Sequence, residues 1–151
     1  METITEKTVE TLNDLIIINN DRLEGYQKAM DQTDDLDLKA LFTMLSMQSK
    51  VNNVSLRSLV PAGEETPDRD ETRLSGKFYR AWMDVKNALS SNDRKNVLSS
   101  CEKGEDVAKK AYENALADSD ELSPDAVATI QKQYDEILEA HDKMKNLRDN
   151  A

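Results

Sequence analysis

The fold is decided by the stretch Thr3–Met30, TITEKTVETLNDLIIINNDRLEGYQKAM. Thr3 and Glu6 match a Thr-x-x-Glu capping box, in which each side chain can satisfy the other residue's free backbone N–H at a helix start. Apolar residues then recur every three or four positions, which is the spacing of one face of an α-helix. These residues are Ile4, Val9, Leu12, Leu15, Ile16, Leu23, Tyr26 and Met30. The stretch therefore predicts a long amphipathic helix over residues 3–30.

The same periodicity continues in the rest of the chain, and it predicts further helices over residues 35–60, 75–89, 92–116 and 123–149. Ser75 is the expected N-cap of the short third helix, and Ser123 followed by Pro124 is a strong start signal for the last one. Residues 61–73 are polar and include two prolines, which indicates an exposed, mobile loop. We therefore expect one all-α domain over residues 1–151, a four-helix bundle with an extra short helix in its middle connection.

The length of that middle connection bears on the topology. Short connections make the first two long helices antiparallel, and likewise the last two. Residues 61–91 are enough chain to run the length of the bundle, so the second and third long helices can be parallel. One long crossover is the ferritin-like path. A plain up-down bundle, with the short helix capping one end, is the alternative.

The composition and charge bear on where the protein is located and on which partners it can bind. The net charge is −10, from 30 acidic and 20 basic residues, so the chain should repel nucleic acid and anionic membranes. Its single cysteine, Cys101, excludes an internal disulfide and fits a reducing compartment. The N-terminal residues do not resemble a signal peptide, and the longest aliphatic run is Leu15–Ile18. We expect a cytoplasmic protein that binds neither nucleic acid nor membrane.

Each long helix places polar side chains on its apolar side near its middle. A buried amide or carboxylate without a partner is costly, so these groups should meet one another or water. The inward positions predict a structural polar network in the core. Its expected members are Asn19, Asn20, Gln48, Cys101 and Tyr134, with Glu105 and His141 also pointing inward and Glu102 at the flank.

A metal site is the sharper alternative for the same residues. Ferritin-like di-iron bundles use a Glu on two helices and Glu-x-x-His on the other two. Here Leu138 stands three residues before His141, and the chain has one histidine, so that pattern is absent. A weak site for a divalent metal or iron can still be built from Glu105, His141 and Glu102, although an antiparallel register separates Glu105 and His141 by about 9 Å. A structural network without a cofactor is the favoured prediction.

Phe78 and Trp82 lie on one face of the short helix. We expect them to dock this helix on the bundle, and a partner-binding face is the alternative. Gly104 lies inside a predicted helix, where it costs about 1 kcal/mol relative to alanine. It can allow another helix to approach closely beside Glu105, or it can mark a local bulge.

Three runs of the sequence resemble an uncharacterised bacterial family of four-helix-bundle proteins that is grouped with the ferritin-like domains. The runs are LNDL…NNDRLEGY over residues 12–26, GKFYRAWMDVK over 76–86, and SCEKGED over 100–106 followed by Ala111-Tyr112. The resemblance implies the fold, a bacterial cytoplasmic setting and a stress-related role. It also marks six polar positions as characteristic, which are Asn19, Asn20, Glu24, Cys101, Glu102 and Glu105.

Two functional hypotheses follow. The first is a non-enzymatic module, a monomer or homodimer, that binds a protein or a small molecule. The second is a degenerate ferritin-like metal or redox protein that uses Glu105 and His141, assisted by Glu102 or Cys101. Membrane-surface binding by an amphipathic helix is weaker, because the charge of −10 opposes it.

Overall fold

The computed structural model of the chain describes residues 5–68, 71 and 76–151, excluding the side chains of 76–79. Its helices are α1 (Glu6–Asp31), α2 (Leu36–Leu59), α3 (Gly76–Ser90), α4 (Arg94–Ala117) and α5 (Pro124–Asp149), with a 3-10 turn at Ser119–Glu121 before α5. This part of the chain contains no strand. The predicted all-α bundle is confirmed, and the helix boundaries agree with the prediction to within about three residues.

The helix starts follow from short polar side chains. Thr5 caps α1, since its Oγ1 accepts a hydrogen bond from the Thr8 N–H at 3.1 Å. Asp35 caps α2 by accepting from two backbone N–H groups, and Asp93 caps α4. Pro124 is the first residue of α5, as its sequence signal predicted. The predicted capping box at Thr3 and the predicted cap Ser75 lie outside the described residues.

Side-chain contacts give the directions of the helices. The Asn52 side chain donates to Asn19 and the Arg22 guanidinium donates to Ser49, so residue numbers fall along α2 as they rise along α1. The two helices are therefore antiparallel. The α4 and α5 helices are antiparallel too, because the contact between Tyr112 and Gln133 follows the short connection between them.

The relation between α1 and α4 decides the topology. Asn19 contacts Tyr112 and Arg22 contacts Glu105, so these two helices are antiparallel as well. It follows that α2 and α4 are parallel and that their connection runs the length of the bundle. This is the path with one long crossover, and the plain up-down alternative is wrong. The ferritin-like grouping itself stays a prediction.

The described part of the long connection lies against α1. The Asn13 side chain donates to the Glu65 carbonyl at 2.9 Å. The Asn20 side chain donates to the carbonyls of Asp68 and Glu71 at 3.0 and 2.9 Å. The described residues of this segment are mostly exposed, as predicted, but two asparagines of α1 hold its backbone in place, which the sequence did not indicate.

Trp82 docks α3 on the bundle. Its indole stands edge-on to the Tyr26 ring, with the ring centroids 4.8 Å apart. It also lies over Gly25 of α1 and near Gly104 of α4. The docking role predicted for Trp82 is confirmed. The approach that requires a glycine is at Gly25, because a Cβ at Gly104 would lie 3.6 Å from the indole, an ordinary contact. The side chain of Phe78, the other residue of the candidate interaction face, lies outside the described residues.

The bundle interior has an apolar cluster towards each end. One cluster includes Phe42, Leu98 and Met144, and the other includes Leu12 and Ile130. Buried polar side chains lie between these clusters, near the middle of the long helices. None of the helices within the described ranges is long and apolar enough to cross a bilayer.

Candidate functional site

The four long helices are joined by a closed ring of hydrogen bonds in the core. Asn19 of α1 donates to the Tyr112 hydroxyl of α4 at 2.8 Å, and Tyr112 donates to Gln133 Oε1 of α5 at 2.7 Å. Gln133 Nε2 then donates to the Asn52 carbonyl of α2 at 3.1 Å. Asn52 Nδ2 closes the ring on Asn19 Oδ1 at 3.3 Å.

All four residues of the ring are buried, and their exposed fractions are 3% or less. Burial raises the pKa of the Tyr112 hydroxyl well above its ordinary value, so this group stays protonated and can donate. A buried amide that loses its partner costs about 1–3 kcal/mol. The ring therefore makes the register of all four helices depend on one another.

A buried ion pair lies close to the ring. Arg22 Nε is 3.0 Å from Glu105 Oε1 and 3.1 Å from Oε2, and the Tyr26 hydroxyl donates to the same carboxylate. Arg22 Nη1 also donates to Ser49 Oγ at 3.0 Å. Arg22 and Glu105 are each 1% exposed. Two opposite charges that are removed from water in this way depend on each other for their solvation.

The electrostatics of the pair follow from its burial. Burial alone would lower the pKa of Arg22, but the Glu105 carboxylate and the neighbouring tyrosines raise it, so the guanidinium stays charged. Burial, followed by the charge of Glu105, raises the pKa of Tyr26 well above its ordinary value. Arg22 Nη2 has no hydrogen-bond partner among the described residues.

The hydrogen-bond ring and the Arg22–Glu105 ion pair do not fit a di-metal centre. Among their described residues they offer one carboxylate, Glu105, and the Arg22 guanidinium already occupies the position beside it. A di-iron bundle needs several carboxylates at this level. The positive charge that a metal would supply there comes from the protein itself.

The predicted network is correct in kind and wrong at several members. Asn19 belongs to the ring, and Asn20 accepts from Asn53 at 2.8 Å in addition to holding the long connection. Gln48 is only half-buried, and its Oε1 has no partner within the described part of the chain. Asn52, one turn further along α2, takes its place in the ring.

On α5 the predicted stripe is correct at Ile130, Ile137 and Met144 but is one position off between them. Gln133 is buried, whereas the Tyr134 hydroxyl donates to Glu113 at the surface, so Tyr134 is not a member of the network. One residue along a helix rotates a side chain by about 100°. Ala126 and Val127 are both apolar, so this end of α5 did not reveal which of two adjacent faces is buried.

Cys101 is fully buried in one of the apolar clusters. Burial, with a contribution from the Glu105 charge, raises the pKa of its thiol well above the ordinary value. A thiol that stays protonated is a poor nucleophile and a poor metal ligand. Cys101 is therefore an apolar core residue, and the predicted redox assistance from it does not fit this environment.

The predicted pair of Glu105 and His141 is not formed. His141 lies at the α4–α5 flank, where its side chain is 13% exposed and its Nε2 is 2.7 Å from Asp106 Oδ1. Its Nε2 is also 3.8 Å from Glu102 Oε1. Glu105 faces the core instead, because it is one residue from Asp106 and so points about 100° away from it. Glu105 therefore does not meet His141, whereas Glu102 does, with 3.8 Å between its Oε1 and His141 Nε2.

Glu102, Asp106 and His141 form a flank cluster, in which one possible ligand atom from each residue lies within 4.8 Å of the others. His141 Nδ1 is 3.1 Å from Asp142 Oδ1 on its other side. Arg148 makes an ion pair with the second oxygen of Glu102. Two carboxylates and an imidazole nitrogen are a ligand set that zinc, manganese and iron accept.

A groove lies between α1 and α3 next to Trp82. Its volume is about 450 Å³, within the range of about 300–1,000 Å³ that is typical of small-molecule sites. Glu24 and Lys28 line its α1 side, and Trp82 and Met83 line its α3 side. The groove thus includes Trp82, one of the two residues of the predicted interaction face.

Arg22 is the main functional residue that sequence reasoning missed. Arginine is rarely fully buried, so a position on the same face as Asn19 and Tyr26 does not by itself predict that it lies in the core. That spacing, three residues after Asn19 and four before Tyr26, could have revealed it. Gln133 was missed because the sequence pattern of α5 does not show which side of its apolar face is buried.

A helical bundle with polar layers in its core and a docked short helix defines a small all-α domain. The chain belongs to the family described as Domain of unknown function (DUF2383), whose model matches residues 7–118. This match runs from the first turn of α1 to the end of α4. A search of curated proteins found no match to the chain.

Proposed function

We propose that the protein is a non-enzymatic helical module that binds a protein or a small molecule, with the groove beside Trp82 as its binding surface. The observation that supports this proposal is the engagement of the buried ring and the Arg22–Glu105 pair with protein groups. Such groups stabilise and orient the helices rather than act on a substrate. The bacterial cytoplasmic setting and the stress-related role implied by the resemblance belong to the same proposal.

Elemental analysis of protein purified from cells grown with iron, manganese and zinc tests the proposal. We expect substoichiometric metal. A metal at close to one equivalent per chain would decide against a module that works without a cofactor. Trp82 is the single tryptophan, so its fluorescence reports directly on the groove during a screen of small ligands. Emission that no ligand changes would contradict the assignment of the groove.

A second candidate function is binding of a divalent cation at the flank cluster. Asp142 can hold the Nδ1–H of His141, which leaves the lone pair of Nε2 directed at the carboxylates of Asp106 and Glu102. A carboxylate behind a ligating histidine is the usual arrangement around protein-bound metals. Arg148 would have to share Glu102 with the cation.

Calorimetric titration of the metal-free protein with Zn²⁺ and Mn²⁺ tests this candidate. We expect His141→Ala and Asp106→Asn to weaken uptake at least tenfold, and Glu139→Ala, an exposed acid on the same helix, to leave it unchanged. Circular dichroism should show unchanged helical content. If the unaltered protein takes up neither metal, or if His141→Ala binds normally, the flank cluster is not a metal site.

A further inference from the structure

The outer face of α2 is apolar, although this helix already buries its other face in the core. In the described part of the chain, the large apolar side chains that are mostly or nearly half exposed all lie on α2, with exposed fractions from 47% to 79%. They are Leu36, Met44, Met47, Val51 and Val54. The last four are spaced by three, four and three residues, which aligns them in one straight stripe. We call Met44, Met47, Val51 and Val54 the α2 stripe.

The charge around the α2 stripe differs from that of the whole chain. Residues 39–57 contain three bases, Lys39, Lys50 and Arg57, and no acid, whereas the chain carries −10. Two copies of an acidic protein repel each other over most of their surface. On α2 they can approach without bringing acidic side chains of that helix together.

We propose that the α2 stripe is the contact surface of a homodimer, in which the α2 helices of two copies pack antiparallel across a two-fold axis. The stripe is complementary to itself when it is reversed about position 49. In that register Met44 of one copy faces Val54 of the other, and Met47 faces Val51. Each long, flexible methionine then meets a short β-branched valine, and all four positions fit the apolar a and d spacing of heptad packing. A surface that matches its own reverse is what an isologous interface needs.

The length of the stripe sets the strength of the dimer. The stripe, residues 44–54, spans about 16 Å of helix at 1.5 Å per residue. Contact along one pair of helices of that length is smaller than the roughly 1,600 Å² total of a stable interface. The dimer should therefore be weak and reversible. Because both copies carry the same net charge, added salt should strengthen it, whereas salt would weaken binding of an acidic partner helix to the same face.

Sedimentation velocity of the full chain, from low micromolar to millimolar concentration, tests the proposal. We expect the average mass to rise from 17.1 kDa towards twice that value, and to rise further with salt. Met47→Lys should weaken association at least tenfold. Asn114→Lys adds the same charge at an exposed position of α4 and should not change it. A chain that stays monomeric throughout, or a dimer that Met47→Lys leaves intact, would overturn the proposal.

Cysteine crosslinking tests the register. The natural Cys101 is buried and should not interfere. Under mild oxidation, the double variant Met44→Cys with Val54→Cys should form a covalent dimer, and Met44→Cys alone should not. Crosslinking of the single variant would indicate parallel helices and would overturn the antiparallel arrangement. This inference concerns a different face from the groove, so it does not depend on the proposed function.

Discussion

Gly25→Ala should destabilise the protein because Trp82 occupies the space that a side chain would need. A Cβ at position 25 would lie 2.5 Å from Cδ2 and 2.7 Å from Cζ2 of the indole, and still closer to Cε2. Ordinary contact begins near 3.4 Å, so the ring would have to retreat by about 1 Å. Tyr26 stands against that ring, so the indole cannot move without disturbing its other contacts.

The magnitude is a difference between two effects. Overpacking of this kind costs about 1–3 kcal/mol. Alanine in place of glycine inside a helix returns up to about 1 kcal/mol. The net loss should be up to about 2 kcal/mol, and at roughly 2–4 °C per kcal/mol for a chain of this size the melting temperature should fall by up to about 8 °C.

Gly104→Ala is the matched control, because its Cβ would lie 3.6 Å from the Trp82 ring, an ordinary contact. It should raise the melting temperature, since only the helix-propensity gain applies. Circular dichroism melts of both variants, repeated with Trp82→Leu, provide the measurement. If Gly25→Ala stabilises as Gly104→Ala does, or if its cost is the same without the indole, the steric explanation is wrong.

Three further predictions concern the buried polar layers. Glu105→Gln or Arg22→Met alone should lower the free energy of unfolding, measured in urea, by about 3–5 kcal/mol, and replacing both residues by methionine should restore most of that loss. Equal losses for the single and double variants would contradict the ion pair. Gln133→Ala should cost about 1–3 kcal/mol and Tyr134→Phe less than about 0.5, and the reverse order would contradict the observed phase of α5. The pKa of Tyr26 is raised in the folded protein, so its contribution to stability is complete below the unfolded tyrosine pKa of about 10 and is lost as the pH rises above that value. Tyrosinate absorbance from Tyr26 should then appear together with unfolding. Ionisation of this tyrosine in the folded protein would contradict the burial argument.

Sequence periodicity was sufficient for the helices, because each long helix buries one apolar stripe and begins with a recognisable start signal. It was not sufficient for the phase of every helix. On α5 Ile130, Ile137 and Met144 lie on the buried face, but there are apolar residues on both sides of that line, Ala126 and Ala140 on one and Val127 and Leu138 on the other, so the pattern does not show to which side the face extends. That ambiguity is why Tyr134 was placed in the core and Gln133 was not.

Contacts between distant parts of the chain were harder still to predict. Glu105 was correctly placed inside, but its partner Arg22 is 83 residues away and could be found only from the packing of α1 on α4. The flank cluster has the same origin. Glu102 and Asp106 are one turn apart on α4, but only the register of α5 brings His141 to them.

The hydrogen-bond ring also has a consequence for how the molecule opens. Its links join residues that are 93, 21, 81 and 33 positions apart, so none can form within a single helix. If the α1–α2 pair separated from α4–α5, the links from Asn19 to Tyr112 and from Gln133 to Asn52 would break together and leave buried amides unpaired. Slow amide hydrogen exchange should therefore reach similar protection in all four long helices, which would behave as one cooperative unit instead of two independent hairpins.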